Sequence, residues 1–177
     1  EVDAAWLDGG RSIAIITQGS TSCVPEASDV KLEADGTLAV TLVDPPADTA
    51  CTRDLAPRAS LVVLPEGVDP TKDLEIAVTG AGFYGDTDLD GATNIDAAIA
   101  EGAPSAGWTD KDGVFVILSY GSGSCVPVLE NAEVTADSAI TVTFVTPAAD
   151  QVCTMDYVPR LVIADAPGVE ANGTTQL

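Results

Sequence analysis

A run of acidic residues in the middle of the chain has the composition and spacing of a calcium-binding loop. Asp86, Asp88 and Asp90 occupy alternate positions, Gly91 follows them, and Asn94 comes three residues later. Carboxylates at positions 1, 3 and 5, a glycine at position 6 for the bend and an oxygen donor at position 9 let a loop wrap hard oxygen ligands around Ca²⁺. The sequence therefore predicts a calcium site at these residues.

This segment resembles the calcium loops of dockerins and EF-hands over about eleven residues. It departs from them at position 12, where those loops close with an acid and this chain has Ala97, while Asp96 stands one position early. Because the acid at position 12 is missing, we expect modest affinity, in the range of about 10⁻⁴ to 10⁻³ M that extracellular modules show. Bound Ca²⁺ would relieve the repulsion among these carboxylates and stiffen the connection between the two domains. The alternative interpretation is a solvated acidic linker without a metal.

Four cysteines form two pairs of equal spacing, Cys23 with Cys51 and Cys125 with Cys153. An even count at regular spacing is typical of disulfides in an oxidising compartment, and pairing near neighbours closes the shortest loops. Pairing between the two pairs is the alternative. A zinc site is disfavoured because the chain has no CxxC pair and no histidine.

The missing histidine also excludes a Ser-His-Asp relay. The Gly-Ser-x-Ser-Cys segments at 19–23 and 121–125 are therefore interpreted as turn-forming loops and not as nucleophile elbows.

A second motif, Cys-Thr-x-Asp-x-x-Pro-Arg, occurs at 51–58 and again at 153–160. Each copy places an arginine four positions after an aspartate, and both residues follow a cysteine closely. We interpret each pair as a structural ion pair or a backbone clamp at the disulfide. Recognition of a carboxylate or a sugar is the alternative. The residues concerned are Asp54 with Arg58 and Asp156 with Arg160.

These motifs belong to an internal duplication. Residues 6–58 recur at 108–160, and 22 of the 53 aligned positions are identical without a gap. The repeat predicts a first domain at 1–80, an acidic linker at 81–106 and a second domain at 107–177. The last strand of the first copy, 74–79, would recur at 176–181, beyond the end of the sequence at 177. We expect the second domain either to lack that strand, which leaves an unpaired edge, or to borrow one from elsewhere; the alternative is that the sequence stops before it.

Hydrophobic alternation between turn signals predicts an all-β fold, with two small sandwich or barrel-like domains and one disulfide in each. One short helix is expected in the linker at 95–101, with Asn94 as its N-cap and Gly102 and Pro104 as stop signals. Trp6 and Trp108 match across the copies, and core or inter-copy packing is favoured over stacking on a glycan. The predicted strands are 11–17, 30–33, 37–43, 59–64 and 74–79, then 114–120, 133–135, 139–145 and 161–164.

The charge balance is strongly acidic, with 28 acidic against 7 basic residues and a formal net charge of −21. A negative field of this size disfavours nucleic acids and anionic lipid surfaces. Cations, basic proteins and neutral glycans are the partners it allows, and the alternative is that the acidity only keeps the protein soluble. No apolar run is long enough for a transmembrane helix, and no signal peptide opens the chain, so a mature exported form is expected.

With the repeat and both motifs considered together, the chain resembles secreted, lipid-anchored or wall-associated tandem-repeat proteins of high-GC Gram-positive bacteria. That resemblance implies an extracellular or cell-surface protein of unknown function and supplies no catalytic residue. We expect a non-enzymatic binding or structural module, with an unknown protein or glycan as its partner. The alternatives are a surface scaffold that self-associates through the incomplete second domain and a carboxylate-dependent hydrolase, which would need two acids across a cleft.

Overall fold

The computed structural model describes residues 1–80, 82–93, 95–137 and 139–169. At Phe83 it describes the backbone and not the side chain. Its regular structure is almost all β, with a 3-10 turn at Asp8–Gly10, so the all-β prediction is confirmed. Within the described ranges, no helix has the length and apolar character needed to cross a membrane. The strands are β1 (Asp3–Leu7), β2 (Ser12–Gly19), β3 (Glu26–Leu32), β4 (Leu38–Val43), β5 (Ala56–Val63), β6 (Leu74–Gly80), β7 (Phe83–Leu89), β8 (Ser105–Trp108), β9 (Val114–Gly121), β10 (Leu129–Ala136), β11 (Ala139–Phe144) and β12 (Val158–Asp165).

These strands form four sheets, two for each copy of the repeat. In the first copy, sheet A has the order β1-β2-β5 and sheet B the order β3-β4-β6-β7. In the second copy, sheet C has the order β8-β9-β12 and sheet D contains β10 and β11. All neighbouring pairs are antiparallel except β4 and β6, which run parallel. Sheet C thus repeats sheet A strand for strand, and sheet D repeats the first half of sheet B.

Each copy is closed by a disulfide at one end. Cys23, after β2, pairs with Cys51, before β5, and Cys125 pairs with Cys153 at the equivalent place. The Cα atoms in the two bridges are 5.5 Å and 5.6 Å apart. The predicted pairing within each copy is therefore confirmed, and each bridge contributes about 3–4 kcal/mol in the chain-entropy description of such loops.

Sheets A and B enclose the core of the first copy. Ile13 and Ile15 of β2 face Val40 of β4 and Ile76 of β6, and all four side chains are buried. The alternation of apolar and other residues along β4 and β6 places one face of sheet B in this core and the other in solvent. Sheet B thus behaves as an antiparallel sheet with one covered face, apart from its single parallel pair.

The other face of sheet A packs against sheet C, and this contact joins the two copies. Ala14 and Ile16 of β2 lie in one buried cluster with Val116 and Leu118 of β9. These residues are equivalent in the repeat, so the copies meet through the same face. Because sheet A is covered on both sides, β2 is buried along nearly its whole length. A strand covered on both faces has a continuous apolar run, as 13–16 has.

The segment predicted as an acidic linker contains two strands. β7 pairs with β6 along its full length, with Leu89 buried and Asp86 and Asp88 exposed. β8 begins at Ser105 and so crosses the predicted boundary between 106 and 107. It repeats β1, which sequence alternation also failed to identify. Both β1 and β8 are short and rich in small residues, so their apolar periodicity is weak.

The helix predicted at 95–101 was wrong, because these residues form isolated turns. Tertiary contacts with the Asp8–Gly10 turn explain the difference. The carbonyl oxygen of Ile99 accepts a hydrogen bond of 2.8 Å from Arg11 Nη2, and a Cβ added to Gly9 would lie 2.6 Å from the carbonyl oxygen of Asp96. Contacts with distant residues can override local helix propensity, and here Gly9 packs closely on the backbone of Asp96. The predicted N-cap, Asn94, lies outside the described residues.

The shared core predicts that the copies unfold together. Leu118 is fully buried between sheets A and C, so Leu118→Ala should lower the free energy of unfolding by about 2–5 kcal/mol. Val63→Ala, at an exposed position of β5, should change it by about 0.5 kcal/mol or less. Urea unfolding followed by tryptophan fluorescence and circular dichroism measures both. Two separate transitions, with only one moved by Leu118→Ala, would contradict a shared core.

Candidate functional site

The disulfide loop of the first copy is held by a buried arginine. Arg58 of β5 has a relative exposure of 8%. Its guanidinium donates to the carbonyl oxygens of Cys23 and Ser20 and, through Nε, to the hydroxyl of Thr17 at 3.3 Å. Gly19 lies against the guanidinium, where any side chain would clash. Arg58 is therefore a backbone clamp on the loop and does not present its charged group to a ligand.

The aspartate of the same motif closes the loop from the solvent side. Asp54 accepts a hydrogen bond of 2.6 Å from the hydroxyl of Thr21 and another from the hydroxyl of Thr52. The amide of Thr52 in turn donates to Ser22 Oγ at 2.9 Å. The hydroxyls of Thr21 and Thr52 lower the pKa of Asp54 to about 2. Ionised Asp54 thus ties the segment before Cys23 to the segment after Cys51.

The second copy repeats this arrangement with changes in detail. Arg160 Nη1 donates to the carbonyl oxygen of Cys125 at 2.9 Å, and Nη2 donates to Ser119 Oγ at 3.3 Å. Hydrogen bonds from Thr154 and from the amide of Gly123 lower the pKa of Asp156. In both copies the arginine of the motif thus binds the backbone carbonyl oxygen of a disulfide cysteine, as the backbone-clamp interpretation predicted. The Asp54–Arg58 and Asp156–Arg160 ion pairs stay predictions.

One polar atom of the second clamp is buried without a hydrogen-bond partner among the described residues, Arg160 Nε. The equivalent atom in the first copy donates to Thr17, whereas the second copy has Ser119 at that place and uses Nη2 for its hydroxyl. A buried donor without a partner costs stability. The second clamp is therefore the less complete of the two.

The acidic motif lies on and after a strand. Asp86 and Asp88 are paired residues of β7, opposite Ala77 and Glu75 of β6, so at these positions the backbone is extended and does not wrap as a calcium loop does. Asp90 follows β7, Asp96 lies among the turns before β8, and Asn94 lies outside the described residues. The described part of the chain contains no group of three or more acidic or cysteine side chains placed to hold a metal. Calcium binding stays a prediction.

Two of these acids do contribute to a local concentration of negative charge. Loss of hydration raises the pKa of Asp110, and the carboxylates of Asp3, Asp88 and Asp90 raise it further. Asp3 is itself buried and accepts hydrogen bonds from the amides of Ala4 and Asp110. The motif thus adds to a repulsive acidic region near the start of β1.

The two tryptophans pack within their own copies. Trp6 lies partly buried against the core between sheets A and B, and its indole nitrogen donates to the carbonyl oxygen of Asp90 at 2.9 Å. Trp108 packs edge-to-face on Phe115, with ring centroids 5.3 Å apart. These contacts support the core-packing interpretation.

The two copies differ in how exposed the core-facing side chains of β11 and of its equivalent, β4, are. In the first copy, Leu38, Val40 and Leu42 of β4 have relative exposures of 0%, 1% and 1%, because β6 pairs with β4 and contributes buried aliphatic side chains. The equivalent residues of β11 are all partly exposed. They are Ile140, Val142 and Phe144.

Within the described residues, β11 pairs with β10 and with no other strand. Its second edge is the one that β6 occupies in the first copy. Ile117 of β9 packs with Ile140 and Val142 against the same buried cluster and is partly exposed, although its equivalent, Ile15, is fully buried. We call this unpaired edge, together with Ile117, Ile140, Val142 and Phe144, the β11 groove.

Sequence reasoning predicted an unpaired edge in the second copy but not these side chains. The signal was present, because the repeat offset carries the core positions of β4 onto Ile140, Val142 and Phe144. The position at which a counterpart of β6 would begin, residue 176, lies outside the described residues.

Comparisons with known proteins returned nothing: no family model, no curated protein and no solved structure matches this chain. The two copies are therefore compared with each other.

The lowered pKa of Asp54 predicts how the first disulfide loop responds to acid. Because the folded pKa, about 2, lies below the usual value near 3.9, stability from ionised Asp54 is fully present above about pH 4 and is lost as the pH falls through about 2. Asp54→Asn should therefore destabilise the protein at neutral pH, and the difference should vanish near pH 2. Urea unfolding across this range measures it. The control is Asp48→Asn, an exposed acid between β4 and β5, which should show no such pH dependence.

The raised pKa of Asp110 predicts that its ionised form lowers the stability of the folded protein, the opposite of the effect of Asp54. Its ionised form is disfavoured in the folded protein, so it costs stability above its folded pKa and costs nothing below about pH 4. Asp110→Asn should raise the melting temperature at neutral pH, and the gain should shrink in high salt. Asp137→Asn, at an exposed turn position, is the control. A lower melting temperature for Asp110→Asn would show that this carboxylate is stabilising.

Proposed function

We propose that this protein is an exported, non-catalytic binding module and that the β11 groove is its binding surface. One observation carries the proposal: sheet A and the β3–β4 pair recur as sheet C and the β10–β11 pair, and equivalent core-facing residues are covered in the first copy and partly exposed in the second. An apolar surface next to an unpaired strand edge is typical of a site that another polypeptide covers.

The proposed location rests on the two disulfides. Both are formed and each closes its own copy, and disulfides of this kind persist in oxidising compartments outside the cytoplasm. Export in a high-GC Gram-positive bacterium follows from the sequence resemblance alone. The net charge of −21 favours neutral or basic partners over acidic ones.

The groove offers a partner two kinds of interaction. Covering the exposed parts of Ile117, Ile140, Val142 and Phe144 removes apolar area from water, which contributes about 25 cal/mol per Å². The edge of β11 supplies backbone donors and acceptors that a second strand can satisfy. The first type of interaction gives affinity and the second fixes direction and register.

A second candidate function is a scaffold that assembles from copies of this chain. It is favoured by the same unpaired edge, because two edges can pair across a dimer. The high like charge of two copies opposes it. Sedimentation velocity at rising protein concentration distinguishes the two functions, since the binding-module proposal expects a monomer and the scaffold expects concentration-dependent assembly.

An apolar fluorescent dye tests whether the groove is an accessible apolar surface. The folded protein should bind the dye, and Val142→Asp should reduce the bound fluorescence because a carboxylate then lies in the groove. Val145→Asp is the matched control: Val145 is 47% exposed and follows β11, but the alternation of the strand places it on the opposite face. Dye binding that is absent, or equally reduced by both substitutions, would contradict the proposed function.

A further inference from the structure

Building on this proposed function, we propose that the β11 groove binds a single extended polypeptide strand of a partner protein. The strand runs parallel to β11 and carries aliphatic side chains at alternate positions. The chain itself contains the template for this occupant, because β6 fills the equivalent place in the first copy.

The pairing of β4 with β6 sets the direction and the register. Leu38 lies opposite Ile76, and Val40 lies opposite Val78, in a parallel ladder. Transferred to the second copy, the residue beside Ile140 takes the place of Ile76, and the residue two positions later lies beside Val142. The strand therefore enters at the Ala139 end of β11 and leaves at the Phe144 end.

The backbone of β11 is oriented to receive this strand. The amide of Val145 donates to the carbonyl oxygen of Val128 at 2.8 Å, so it points toward β10. Backbone groups alternate sides along a strand, and the amides of Ile140, Val142 and Phe144 therefore point toward the free edge. Their side chains also face the core, so one set of residues presents both the hydrogen-bonding groups and the apolar contact.

The aliphatic pattern follows from what β6 contributes to the first copy. Leu74, Ile76 and Val78 are buried to 4%, 1% and 1% exposure in the core between sheets A and B. The intervening Glu75 is exposed, so only every second side chain enters the core. A partner strand needs three aliphatic residues at this spacing and is free to vary at the others.

The charge of the protein selects among strands with this pattern. The outer face of sheet D carries Glu133 opposite Thr141, in a protein of net charge −21. An acidic residue at the outward positions of the partner strand is therefore repelled, and a basic one is attracted, with an effect that salt reduces. We infer a partner segment whose outward positions are neutral or basic.

A synthetic peptide with the sequence of residues 72–80 is the direct probe, because it contains β6. Calorimetric titration into the full chain should give one site per monomer. A peptide of equal composition, with residues 76 and 77 exchanged and 78 and 79 exchanged, is the matched control, since its aliphatic side chains no longer share one face with Leu74. A third peptide with Glu75→Lys should bind more tightly at low salt than the first peptide does.

Variants of the protein locate the site. Val142→Asp should weaken binding of the first peptide by about tenfold or more, because burying one valine contributes about 1.5–3 kcal/mol. Val145→Asp should leave binding unchanged. Should Val142→Asp fail to fold, amide exchange of the wild type decides the location: the peptide should slow exchange at Ile140 and Val142 and leave Thr141 unaffected. A spin label on the amino-terminal end of the peptide should broaden signals near Ala139 more than those near Phe144.

The outcomes separate this inference from the proposed function. If the groove binds the apolar dye and the peptide does not bind, or binds antiparallel or equally well when its pattern is exchanged, the strand proposal is overturned and the binding surface stands. If the free protein already shows slow exchange at Ile140 and Val142, either residues 170–177 or a second copy covers the edge, and the strand proposal is again overturned. Sedimentation velocity of wild type and Val142→Asp tells these two occupants apart.

Discussion

The contact between sheets A and C is the constraint on which the rest of the molecule depends. It joins equivalent faces of the two copies through Ala14, Ile16, Val116 and Leu118. It also gives β2 the two buried faces that its continuous apolar sequence requires. Gly107 of β8 contributes to this contact, because its lack of a side chain lets β8 approach the backbone of Trp6. The two copies therefore form a stack of four sheets in the order B-A-C-D, with the contact between equivalent faces at its centre.

The outer sheets can differ because the centre is shared. Sheet B covers sheet A with four strands, whereas the described part of sheet D covers sheet C with two. The arginine clamps act at a different place, on the loops that the disulfides close, and they are kept in both copies. The loops and the inner sheets thus have the same strands and clamps in both copies, and the described copies differ in strand content only in the outer sheets. A difference confined in this way is what a binding surface on an otherwise structural repeat requires.

The sequence predicted most of what short-range chemistry decides. Cysteine spacing gave the two disulfides, and alternation at 38–43 and 140–144 gave β4 and β11. It failed where distant contacts decide the structure. Residues 95–101 have helix-forming side chains, but they form turns that pack against Gly9 and Arg11. Residues 83–89 were predicted as part of a linker, but they pair with β6 as β7, and alternation places Asp86 and Asp88 on its exposed side; calcium binding there stays a prediction. A local sequence pattern does not show which distant segment will pack against it, and that segment can override the local preference for helix, loop or strand.

The contact between the two copies also affects the stability of the second copy. A domain of this size standing alone is marginally stable, and one whose apolar face is exposed is less stable still. Here the second copy shares a buried cluster with a fully covered first copy, and each copy has its own disulfide. The first copy can therefore stabilise sheet C on one side, while the described part of sheet D covers its other side with two strands. Under the proposed function, the stable core and the binding surface lie in different halves of one chain, so selection for one does not conflict with selection for the other.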